Sequence, residues 1–340
     1  MTTQQRRAVG IGPPISPVLE GQPTDRHAGT EEPAWLWDSL RFRFWEPTDL
    51  ARGMRHAGGL EPEQREVAAS WWSLLAAADQ LGPRMYAAAF VRATEQHQSD
   101  QVRWSLLAML RDELQHEQLF RLGMQYLAPG WPLGAGPRTA PGRHAEQHLR
   151  QVNQEAERCW HGYHKALDRH GVAVVTGGLL LGALATGGLY DRCASGCVIP
   201  AFATAFRHLS HDAKRHQGAL RALMAMDWPR LSALQRAEAA AQVQATAGFL
   251  TSVMLDPATR APGVSTPDDL AITRAVACWA GLGIPSGEQC LEVLRAALLN
   301  VKDLQGLYGV PFPAMPTLAI PGTERAISDD YEGRERYARL

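Results

Sequence analysis

An imbalance of charge is the first thing missing from this 340-residue chain: 34 Lys and Arg stand against 35 Asp and Glu, a formal net charge of −1 at pH 7. Without an overall field to draw it to nucleic acid or to an anionic membrane surface, neither is expected as a partner. Cysteine is sparse, five in all. Cys193 and Cys197 have no further Cys/His pair at zinc-ribbon spacing, so they read as buried thiols without chemistry. The opening residues, MTTQQRRAVGIGPPISP, are basic but hold no apolar stretch of the kind that directs secretion, so a reducing cytoplasm is the expected location. A Gly-rich phosphate loop, a Gly-x-Ser-x-Gly elbow and a Cys/His nucleophile pattern are also missing, which leaves nucleotide chemistry and acyl transfer without support.

What is present is ordinary globular material, 45% hydrophobic and 20% charged. Residues 1–45 read as an arm, with Pro13, Pro14, Pro17, Pro23 and Pro33 and few large apolar groups until the cluster Trp35, Trp37, Phe42, Phe44 and Trp45. Those rings need cover, from the chain's own body or from a partner subunit. The body, 46–310, reads as helical, and 311–340 as a Pro-rich and charged tail.

From Glu61 the apolar period is helical, with Pro62 in the first turn and Val67, Trp71, Leu74, Leu75 and Ala78 on one stripe. One long helix is predicted up to the polar stretch His97–Asp100. A second places Leu106, Leu110, Glu113, His116, Phe120 and Met124 on one face and ends at Pro129. A polar helix over about 144–169 follows, whose His161, His164 and His170 read as a solvated face. Residues 172–190 carry no charge, but Gly177, Gly178, Gly182, Gly187 and Gly188 favour a buried central helix over a membrane span. Further helices are expected near 198–225, 231–255 and 267–304, and nothing reads as alternating strands. The predicted class is all-α, a long-helix bundle with additional helices.

Two related pentapeptides stand on these helices, Asp112-Glu113-Leu114-Gln115-His116 and Asp212-Ala213-Lys214-Arg215-His216. Glu and His at i and i+3 point the same way, so a bundle can turn both toward one buried metal ion. Two such helices, with one carboxylate from each of two others, make a di-iron carboxylate site. Here Ala213 stands in the second glutamate's place. Asp79 is the candidate carboxylate of the first helix, and the apolar stretch 172–190 offers only Thr176 about where an acid is expected. Two divalent ions would bring four positive charges against the two negative ones of Asp79 and Glu113, and uncompensated buried charge costs several kcal/mol. A pair of ions is therefore not expected. One ion held by Asp79, Glu113, His116 and His216 would be neutral, and a hydrogen-bonded core network with Arg215 or Arg111 as counter-charge is the other reading of the same residues.

The run Phe90–Leu119, ending Asp112-Glu113-Leu114-Gln115-His116-Glu117-Gln118-Leu119, resembles the hydroxylases of bacterial multicomponent monooxygenases, the soluble methane, toluene and alkene monooxygenase family. Their catalytic α-subunits carry an Asp-Glu-Leu-x-His-x-Gln-Leu segment on the corresponding helix. Asp212-Ala213-Lys214-Arg215-His216 is more similar to the Asp-Ala-x-Arg-His of some β-subunits. The resemblance implies a ferritin-like fold and a supporting, β-like subunit without catalytic residues or a cofactor of its own. Its N-terminal arm would wrap a hydroxylase α-subunit that holds the di-iron centre in an (αβ)n assembly. At the level of the complex it implies a reductase and a coupling protein, and NAD(P)H-dependent oxidation of a small hydrocarbon. Retention of Glu113 and His116 departs from the metal-free β pattern and keeps open an independent non-haem oxygenase with one iron at Asp79, Glu113, His116 and His216. A similar helix order occurs in the radical-generating subunit of ribonucleotide reductase, but no candidate radical tyrosine is evident near the pentapeptides.

Overall fold

A computed structural model describes residues 45–55, 62–127, 140–255 and 281–323. The arm up to residue 44, with Trp35, Trp37, Phe42 and Phe44, the expected helical start at 267 and the charged tail lie outside the described residues. Within them run nine helices: α1 Pro47–Arg55, α2 Pro62–Asp79, α3 Leu81–Glu95, α4 Asp100–Leu127, α5 Ala140–His170, α6 Thr176–Gly196, α7 Pro200–Asp227, α8 Ala233–Met254 and α9 Gly287–Leu307. The all-α bundle expected from the periodicity is what forms. Among the described residues pairing between extended segments is limited to two isolated bridges, Cys197 with Leu282 and Met315 with Ile320.

Local chemistry sets the ends of these helices. Ser232 and Ser286 each accept from the backbone N–H three residues on, while Gln235 and Gln289 reach back to them, so α8 and α9 both open on a capping box. Pro200 occupies the first turn of α7, where its missing N–H costs nothing.

One boundary departs from the sequence reading. The long helix expected from Glu61 to the region of His97 is broken at Gln80. Pro83 is the cause: it has no N–H to give to the carbonyl four residues earlier, that of Asp79, and its ring crowds that carbonyl. The interruption leaves Asp79 as the last residue of α2, facing the core and buried.

The core is continuous from α2 to α9. Trp72 on α2 meets Phe120 on α4 at 5.2 Å between ring centroids, and Phe202 and Phe206 on α7 at 5.5 Å each. That wedge of rings fixes the three helices that carry the candidate metal ligands. α6 is buried along most of its length, as the uncharged stretch predicts, and packs along α7 with α8 and α9 on its other sides. Among the described residues no helix is long and apolar enough to cross a membrane. Cys193 is buried and Cys197 half-buried, both as free thiols.

Candidate metal centre

α2, α4 and α7 meet where the two pentapeptides face each other. Asp79 comes from the end of α2, Glu113 and His116 share one face of α4, and His216 points in from α7. His116 Nδ1 lies 3.8 Å from Asp79 Oδ1 and 3.9 Å from Glu113 Oε2. His216 Nδ1 lies 3.2 Å from Glu113 Oε1. Glu113 thus stands between two imidazoles whose centroids are 6.4 Å apart. Asp79, Glu113 and His116 each present a ligand atom, all within 4.8 Å of one another. Transition-metal bonds to carboxylate and imidazole are about 2.0–2.2 Å long, so an ion between them would touch all three. His216 falls outside that group, on the far side of Glu113.

Electrostatics favour a cation on the Asp79 side. Asp79 Oδ2 is buried without a hydrogen-bond partner. Burial pushes the Asp79 carboxyl well above the usual carboxylate range, and the nearby charges of Glu113 and Glu117 add to that. Its place at the C-terminus of α2 also sets it against the negative end of the helix dipole. A divalent ion there would answer all three penalties, and the donor set of two carboxylates and one imidazole fits it.

The chain's own residues hold the imidazoles in place by a crossed arrangement. His116 on α4 is bonded through Nε2 to Asp212 Oδ2 on α7, at 3.3 Å. His216 on α7 is bonded through Nε2 to Asp112 Oδ2 on α4, also at 3.3 Å. Each pentapeptide's aspartate therefore orients the other's histidine and leaves Nδ1 turned to the centre. Trp45 donates its indole N–H to Asp212 at 2.9 Å and stacks on His116. Arg215 donates to Asp112 at 3.0 Å and also to Asp212, and Arg111 to Asp112 at 2.6 Å. Burial works to raise Asp212, but the bond from His116, Arg215 and Trp45 outweigh it and hold its carboxyl well below the usual range. Asp112 is lowered in the same way, its burial outweighed by His216, Arg111 and Arg215. Burial works to lower His216, yet Asp112 and Glu113 dominate and raise it to about 9.

No protein-family model matches the chain, and no curated protein matches it. Solved structures similar to it include a variant R2-like ligand-binding oxidase with an aerobically reconstituted Mn/Fe cofactor, at 12% identity and TM-score 0.46, covering 79% of this chain and 91% of that one. Another is an R2-like ligand-binding oxidase with the same cofactor after a long soak, at 12% identity and TM-score 0.39, covering 81% and 83%. Likenesses this distant bear neither on residue roles nor on chemistry.

Several sequence expectations are corrected at this point. The sequence predicts a chain that binds no cofactor, with di-iron confined to a partner α-subunit; instead Asp79, Glu113 and His116 gather as a three-ligand group in its own interior. Arg215 and Arg111, expected as counter-charge to the Glu113–His116 pair, neutralise Asp112 and Asp212 instead. Thr176 is not level with the centre. It sits at the start of α6, donating to the Ala173 carbonyl and accepting from Trp228. Ala183 and Gly187 are the α6 residues opposite the second pentapeptide: Gln217 donates to the Ala183 carbonyl at 3.0 Å, and a Cβ on Gly187 would stand 3.2 Å from that of Ala213. His161 and His164 lie exposed on α5, bonded to Glu157 and Asp168.

Sequence reasoning passed over Asp112, Asp212 and the site's tyrosines. An aspartate at the same place in both pentapeptides was the available signal for the first two. Tyr86 and Tyr190 line a cavity of about 80 Å³ beside the ligands, and Tyr86 packs edge-on to His216 at 5.7 Å. Neither tyrosine is near a pentapeptide in sequence. Asp79, Glu113 and His116 form one part of the cavity wall, and the remainder is mostly apolar, including Leu75, Leu179, Phe249, Leu250 and Val253.

Proposed function

We propose that this chain is a metal-dependent oxidase of ferritin-like design, which binds a divalent transition-metal ion through Asp79, Glu113 and His116 and acts on a small apolar substrate beside it. The observation that carries this reading is the opening of the three-ligand group onto a mostly apolar cavity. When bound, such an ion supplies Lewis acidity and open positions for dioxygen. Asp212 holds His116 in the ligating orientation. Glu113 carries a second oxygen toward His216, which can give or receive a proton at Nδ1. The apolar wall keeps bulk water from the ligands, which strengthens every charge interaction among them.

Anaerobic loading of the full chain with Fe(II) or Mn(II), followed by metal analysis and oxygen uptake, tests the reading. Stoichiometric metal and oxygen consumption are expected, both lost in Glu113→Ala and His116→Ala variants that remain folded. Protein that stays metal-free under all loading conditions overturns it.

We further propose that the oxidase works in an assembly with a second helical subunit, a reductase and a coupling protein. Support comes from Trp104 and Leu114, both more than half exposed on the outer side of α4, the helix that carries Glu113 and His116. Native mass spectrometry of the complex drawn from its host checks this. A chain that runs alone, at its own mass, would rule it out.

A further inference from the structure

We propose that the space beyond Glu113, where a second metal ion would need its carboxylates, is a binding site for a small uncharged apolar molecule, and that Ala213 keeps it open. The inference rests on the reading above only for the ion on the Asp79 side. Ala213 lies one helical turn before His216 on the inward face of α7, the relation that Glu113 has to His116 on α4. Opposite it, α6 presents Ala183 and Gly187 and no acid. A second ion would find only Glu113 Oε1 and His216 Nδ1, and those two atoms are already 3.2 Å apart and bonded to each other. The donor set does not fit a second ion.

The place of the absent carboxylates belongs to the cavity instead. Ala213, Ala183, Gly182 and Thr186 line it together with Glu113. Its volume of about 80 Å³ is roughly half that of an apolar protein cavity of about 150 Å³ that takes benzene or xenon. Xenon or a molecule of about four non-hydrogen atoms fits that space, and an aromatic ring does not. The Asp79 and Glu113 carboxyls oppose an anion, while the apolar wall offers no replacement for the water that a cation or a strongly polar molecule would lose.

Xenon is the probe, because it binds through size and polarisability and needs no metal. Titration of the metal-free full-length chain, followed by the xenon-129 chemical shift, is expected to saturate at one site. Ala213→Val should abolish the saturable shift by filling the floor of the cavity. Leu250→Ala should enlarge it enough to admit benzene, which the unaltered chain rejects, so the proposal stays testable if the valine variant folds poorly. Ala213→Glu should likewise lose xenon, because its side chain occupies the same space. No saturable shift in the unaltered chain, undiminished xenon binding in a folded Ala213→Val variant, or two Mn(II) ions per unaltered chain would each overturn the proposal. Saturable xenon binding in a chain that takes up no metal would leave the cavity site standing and sink the oxidase reading alone.

Discussion

Gly82 is the position where a single methyl group should separate the metal centre from the fold. It stands in the first turn of α3, immediately after the break at Gln80, and a Cβ placed there would lie 2.9 Å from Glu113 Cδ and closer still to Oε2. Ordinary carbon contacts are about 3.5–4.0 Å. In Gly82→Ala the carboxylate must therefore retreat by about 0.6–1 Å, whereas a metal–oxygen bond tolerates about 0.2 Å. Displacing a ligand by several times its tolerance should weaken metal binding at least as much as loss of an outer hydrogen-bond partner, about 10–100-fold, which is about 1.4–2.8 kcal/mol. The metal-free fold should barely notice. What gives way is the end of a flexible side chain, alanine gains up to about 1 kcal/mol over glycine in a helix, and part of that is returned because Pro83 restricts the residue before it. Calorimetric titration with Mn(II), run beside chemical denaturation of the metal-free protein, separates the two effects. Affinity within twofold of the unaltered chain, with stability unchanged, would refute the assignment of Glu113 as a ligand held against Gly82.

Gly123→Ala makes the opposite prediction from the same chemical change. Its Cβ would stand 2.9 Å from Trp72 Cε3, and that ring is wedged against Phe120, Phe202 and Phe206, so overpacking of about 1–3 kcal/mol should appear as a lowered denaturation midpoint. Trp45→Phe keeps a ring beside His116 but removes the donor to a buried, ionised Asp212, and should cost about 1.5–3 kcal/mol in chemical denaturation, with an equal midpoint as the refuting result.

Helices were legible wherever one face is apolar over several turns, as on α4 and α7, because removing that face from water is the main force driving the bundle together. The break at Gln80 was not read, although Pro83 announces it, because the apolar stripe from Trp71 to Ala78 runs up to it without interruption. Glu113 and His116 could be paired from their spacing alone. Asp79 could be placed on the right face only roughly, since its register against α4 depends on that break. Comparison of the two pentapeptides marked Ala213 as standing where a second glutamate would be expected. The count of available acids spoke only against a pair of ions and left one divalent ion neutral; the expectation of no cofactor came from the resemblance, and the gathering of Asp79, Glu113 and His116 overturns it. Tyr86 and Tyr190 carried no sequence signal, since only the folding of α3 and α6 over the ligands brings them to the cavity.

The crossed aspartates give the second pentapeptide's polar residues a structural role even with alanine at position 213. Asp212, Arg215 and His216 are tied to α4 through His116, Asp112 and Glu113, so they join α4 to α7 whether or not Ala213 is an acid. Arg215 is the keystone of that arrangement, about nine-tenths buried and shared between Asp112 and Asp212. Arg215→Met fills most of the same volume without the charge. Breaking a buried ion pair from one side costs about 3–5 kcal/mol, and the lower end applies here because Asp112 keeps Arg111 and His216 while Asp212 keeps His116 and Trp45. With the guanidinium gone the interior is more negative, so a divalent ion at Asp79, Glu113 and His116 should restore more stability to the variant than to the unaltered chain. Thermal denaturation with and without Mn(II) reads both effects. A loss below about 1 kcal/mol, or a smaller rise in midpoint on metal addition than the unaltered chain shows, would mean that Arg215 is solvated rather than structural, and that the two pentapeptides do not share one electrostatic unit.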